Sequence, residues 1–122
     1  MTTALLRLVA LLEAATGISL AIQPVLVTQL LLGEGVSGAG VVLSRFAGFA
    51  LVALAVACWP TREPGSRTAM AALFMYSLLA FLYFLYLGIV AHVAGALLWP
   101  AVAVHAGATF LTAAKLRRER QR

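Results

Sequence analysis

Four side chains in this sequence can carry charge or move a proton at membrane depth: Glu13, Arg45, Tyr76 and His105, one from each of four long apolar stretches. A guanidinium among lipid tails costs roughly 2.5–3.5 kcal/mol even on lenient insertion scales, so Arg45 should face protein or the interface, and a carboxylate is under the same pressure. Glu13 lies near the middle of the first stretch and Arg45 toward the outer end of the second, an axial separation of roughly 5–9 Å in helices. An arginine side chain spans that gap. A Glu13–Arg45 ion pair is therefore expected, since it would satisfy two costly charges at once. His105 and Tyr76 sit at a similar level in the fourth and third stretches. Two readings follow. In the functional one Glu13 accepts a proton or cation, Arg45 is its counter-ion or clamps an anion, and His105 titrates near neutrality. In the architectural one the same network fixes helix rotation and register and holds no ligand.

Other chemistries find little support. Cys58 is the only cysteine, which excludes an intrachain disulfide and argues against a thiolate metal site. His92 and His105 are 13 residues apart in the sequence, about 20 Å along a helix, too far for one helix to offer both to a single cofactor. There is no Gly-rich phosphate loop and no nucleophile with a base and an orienting group. Ser44 and Ser77 read as helix serines bonded to their own backbone. No catalytic residue, metal ligand or cofactor is assigned.

The elements that must position these groups follow from composition. Of 122 residues, 63% are hydrophobic and 11% charged, against about 45–50% and about 25% in soluble domains. The chain reads as an all-α integral membrane protein, an antiparallel four-helix bundle in one domain over 1–122. Four spans of about 20 residues leave room only for short loops. They are expected at 4–22, 41–59, 68–87 and 96–114. Glu13 interrupts the first apolar run and no clean small-residue cleavage site follows it, so this segment is expected to stay rather than be removed as a leader.

Pro24 should end the first span and open a short helix over 25–32, lying along the outer interface or continuing the span after a kink. A glycine-rich turn follows over 33–40. Gly40, Ser44 and Gly48 then fall four apart on one side of the second span, as do Ala103 and Gly107 on the fourth, small-residue spacings that let helices approach closely. The segment PTREPGSR at 60–67 forbids helix continuation. On the third span Tyr76 and Tyr83, with Tyr86 close by, read as the inward stripe, and Phe74 and Phe81 as facing lipid. Trp59-Pro60 and Trp99-Pro100 mark the interfaces.

Nine Lys and Arg against four acidic residues give a net charge of +5. All the basic residues except Arg45 fall on one side of the expected topology, which puts both termini in the cytoplasm. The tail at 115–122 is strongly basic and expected to fray. Lys115, Arg117 and Arg118 are candidates for lipid headgroups, each worth about 1 kcal/mol near an anionic surface. A tail of eight residues, five of them basic, hardly makes a nucleic-acid surface.

In layout the chain resembles the small bacterial four-helix inner-membrane proteins grouped as DoxX-like. The resemblance rests on LLLGEGVSG (30–38), RFAGFALVALAVACWP (45–60) and WPAVAVHA (99–106). It implies a four-helix bundle in a bacterial inner membrane and, for some members, a link to thiol or quinone redox systems. LLEAATG (11–17) also resembles the first-span signature of the small multidrug resistance transporters, which implies Glu13 as a residue that binds protons and drug cations in turn.

The leading expectation is a membrane bundle that acts through association, as an accessory or scaffold subunit with other membrane subunits or as a homo-oligomer, or that binds a small hydrophobic, lipid-like ligand between its helices. The alternatives are a proton-coupled transporter centred on Glu13, in which a paired Arg45 would compete with the proton, and an intramembrane redox or isomerase enzyme.

Overall fold

Where a helix is apolar on every side, hydrophobicity alone cannot choose the face that packs, and small residues decide which backbones meet. A computed structural model describes residues 2–59 and 67–121. Among them there are helices and no strand: α1 (Thr2–Ile22), α2 (Pro24–Leu32), α3 (Ala39–Ala57), α4 (Arg67–Ile89) and α5 (Leu98–Arg120). The connection at 60–66, expected as a proline- and glycine-driven turn, lies outside the described residues. α3 and α4 are each long and apolar enough to cross a membrane. α1 and α2 pass that test together, across a bend of 119°. α5 has the length, at 23 residues, but His105, Lys115 and the basic last turns reduce its apolar content. The tail expected to fray instead continues α5 to Arg120.

The helices associate as two tight pairs, α1 with α3 and α4 with α5. In the first pair Gly17 and Gly48 face each other. A Cβ on Gly48 would stand 2.5 Å from the Gly17 carbonyl oxygen, and one on Gly17 would stand 2.7 Å from that of Gly48. No side chain fits at either place. In the second pair Leu98 is fully buried, and Gly88 lies under the Trp99 ring, where a Cβ would come within 3.1 Å.

The pairs join through side chains rather than backbones. Leu6 and Val9 of α1, Met70 and Leu73 of α4 and Ala108 of α5 form a common core near the end that holds both termini, with Cys58 and Leu116 against it. The Cys58 thiol donates to the Ala69 carbonyl at 3.4 Å, tying the end of α3 to the start of α4. At the opposite end α2 folds back. Its proline at the first position needs no amide partner, and Gly33 closes it in the left-handed conformation, φ 82°, with its N–H on the Gln29 carbonyl. Thr28 donates to the Pro24 carbonyl at 2.9 Å and accepts the Val36 N–H at 3.2 Å, holding the glycine-rich loop against the helix. The Leu97 N–H donates to the Leu30 carbonyl at 2.8 Å. Gly95 packs so closely on Leu31 that a Cβ there would collide with its carbonyl group.

The outer surface is apolar. Phe46 and Phe110 are 71% and 74% exposed, as are many leucines and valines of α3 and α4, a continuous coat that water would not tolerate and lipid would.

Candidate functional site

The 3–4 spacing that buries apolar residues also turns polar ones inward. Leu6, Val9, Ala10, Glu13 and Gly17 form one buried line along α1; Met70, Leu73 and Ser77 do so on α4; Leu98, Val102, His105, Ala108 and Thr112 do so on α5. Glu13 and His105 are 5% and 7% exposed. They meet Tyr76 in the seam between the two helix pairs. The Tyr76 hydroxyl donates to Glu13 Oε2 at 3.2 Å, and His105 Nδ1 stands 3.8 Å from Glu13 Oε1. That second distance is too long for a hydrogen bond, and His105 Nδ1 has no other partner among the described residues. The His105 ring is fixed by two aromatics, Tyr76 edge-on with centroids 5.6 Å apart and Phe84 tilted at 5.5 Å. A carboxyl group with one hydroxyl donor and an imidazole about 0.6 Å beyond bonding range can take or give a proton on a small movement.

Arg45 is not part of this group. It is exposed, and the ion contact of Glu13 among the described residues is with His105. The Gly17–Gly48 contact explains the difference. It turns the line of Ser44, Gly48 and Ala55 toward α1, and Arg45, one residue further along, is rotated by about 100° away. Arg45 lies about 9 Å along the axis from the start of α3 at Ala39, within reach of the interface for a long side chain.

Other expectations shift as well. Tyr83 and Tyr86 are 60% and 52% exposed and stack on each other, while Phe74 and Phe81 are half-buried, so of the tyrosines expected to face inward only Tyr76 does. Among the small residues, Gly48 is buried against α1, Ser44 is half-buried, and Gly40 abuts Val36 of its own preceding loop. Ala103 is exposed, and a Cβ on Gly107 would meet nothing within 4 Å. Their face of α5 points away from the other helices. Ser77, expected to bond its own backbone, has a fully buried hydroxyl with no partner among the described residues. Lys115 is half-buried, and Arg117 and Arg118 are exposed on the last turns of α5.

A cleft of about 700 Å³ lies at the end away from the termini, lined by the loop after α2, the end of α4 and the segment before α5. Glu34, His92 and Tyr83 line it beside Leu87, Val36 and Phe84. His92 has φ 53°, a positive-φ backbone that is uncommon outside glycine but that histidine adopts more readily than most residues. Phe84 belongs to the cleft on one side and packs on His105 on the other. Phe84 is thus shared between the cleft and the buried trio. The sequence offered Phe84 no signal, because its ring is one among many on an apolar helix.

Among the described residues no three His, Cys, Asp or Glu side chains cluster as a metal site would need. No protein-family model, curated protein or solved structure matches this chain.

Proposed function

We propose that this protein is an integral membrane bundle of four spans, α1, α3, α4 and α5, with both termini in the cytoplasm, that binds a small lipid-like ligand in the cleft above Phe84. The orientation follows from the charges: Arg7, Arg67, Arg117 and Arg118 gather at the terminal end and Arg45 alone lies toward the other. The layout agrees with a bacterial inner membrane. The observation that carries the ligand reading is the shared wall: Phe84 lines a cleft of ligand size and also touches His105 of the buried trio. An apolar cleft with a few polar groups at its edge suits an amphipathic molecule. The test is Leu87→Trp, which fills the cleft without touching the trio. Organic extracts of protein purified in nanodiscs should contain a small amphiphile that is absent from the variant. Identical extracts would defeat the reading.

One observation favours a second role, proton-coupled transport. Among the described residues Glu13 meets a hydroxyl and an imidazole and no arginine, so none of their fixed cations competes with a proton for its carboxylate. In proteoliposomes under a pH gradient, wild-type protein should pass protons and Glu13→Gln should not, with both equally folded by circular dichroism. Equal proton flux in the two would remove the transport role and leave the ligand role standing.

A further inference from the structure

A second cleft, of about 310 Å³, opens at the terminal end between α4 and α5, lined by Arg67, Ala71, Phe74, Ala113, Leu116 and Arg117. Its walls separate by chemistry. Arg67, Ala71 and Phe74 lie at i, i+4 and i+7 on one face of α4, so the line runs from a guanidinium at the helix start to an aromatic ring about 10 Å deeper. On α5, Arg117 stands at the outer end, with Leu116 beside it and Ala113 one turn further in. Two cations from different helices thus flank the mouth of a groove whose floor is apolar, and among the described residues no acidic side chain lines it. Neither arginine forms an ion pair among the described residues.

We propose that this cleft is a binding site for one anionic phospholipid, with its phosphate between Arg67 and Arg117 and one acyl chain laid along Ala71, Phe74 and Ala113. Paired guanidiniums match phosphate geometry better than any other side chains. A groove descending from the charged mouth into the bilayer fits an amphiphile rather than a free anion. Arg67 is essential to the argument. Basic residues of the tail alone would attract any anionic surface diffusely, whereas a guanidinium on a different helix makes the site a clamp with a defined place.

Native mass spectrometry tests this on the full-length protein, with phosphatidylglycerol, phosphatidylcholine or inorganic phosphate added in turn. Phosphatidylglycerol should be retained well above phosphatidylcholine. Arg67→Gln and Arg117→Gln should each lower its retention about fivefold, the equivalent of about 1 kcal/mol per basic residue at the surface. Arg118→Gln, on the same tail but outside the cleft, should change it less than twofold. Ala113→Trp, which fills the groove and keeps both arginines, should also release the lipid. Equal retention of phosphatidylcholine, an Arg118→Gln loss matching that of Arg67→Gln, or displacement of the lipid by millimolar inorganic phosphate would each overturn the assignment.

Discussion

Glu13 of α1 accepts a hydrogen bond from Tyr76 of α4 at 3.2 Å, across the seam between two helix pairs that otherwise meet through apolar side chains. In the low dielectric of a bundle interior, a polar group left unpaired is costly. Tyr76→Phe removes the donor and leaves the carboxyl group buried, so it should lower stability by about 1–3 kcal/mol. Thermal unfolding in detergent measures this. Glu13→Gln combined with Tyr76→Phe should cost less than the sum of the single changes, by about 0.5–3 kcal/mol, as expected of directly bonded partners. Additive losses would show that the two residues do not interact.

The two glycine environments predict opposite signs. Gly48→Ala places a methyl group 2.5 Å from the Gly17 carbonyl and should destabilise the α1–α3 pair by about 1–3 kcal/mol. Gly107→Ala meets nothing within 4 Å and should stabilise α5 by up to about 1 kcal/mol through helix propensity. If the two substitutions shift the melting temperature in the same direction, the packing of α1 on α3 is misplaced.

Arg45 is exposed on α3 and separate from the buried trio. Arg45→Leu should therefore leave the melting temperature within about 2 °C of wild type, by the rule that surface changes stay within about 0.5 kcal/mol. Its effect should add to that of Glu13→Gln. Partial rescue of Glu13→Gln by Arg45→Leu would restore the ion pair expected from the sequence.

Phe84 closes the inner wall of the cleft. In Phe84→Ala, diethylpyrocarbonate should modify His105 much faster than in wild type, while His92, already exposed, reacts as before. Peptide mapping by mass spectrometry separates the two histidines. An unchanged His105 rate would mean that the cleft does not lead to the trio.

Helical structure and its placement were legible because apolar runs bounded by Pro24, the glycines at 33–40 and the proline- and glycine-containing sequence at 60–66 leave few other options. Glu13, Tyr76 and His105 lie together; Glu13 and His105 sit on lines of buried residues at helical spacing, and half-buried Tyr76 stands beside such a line on α4. Arg45 was misread because α3 is apolar all round, so its sequence contains no polar face from which rotation could be deduced. That rotation is set by a backbone contact between Gly17 and Gly48, two helices apart in the reading. The cleft was invisible for a related reason: it is assembled by the return of α2 onto the segment before α5, through the Leu97–Leu30 bond and the close fit of Gly95. Sequence spacing within one helix carries no trace of such a long-range docking.

The two helix pairs are fastened to each other near both extremities, by the Cys58 thiol on Ala69 at 3.4 Å and by the Leu97 amide on Leu30 at 2.8 Å. Between these fastenings lie the Glu13 and His105 side chains, 3.8 Å apart. Neither fastening has to part for that gap to close: a shift of the side chains, or a slight flexing of the helices between the two ends, would bring the imidazole onto the carboxyl group while the helix pairs stay joined.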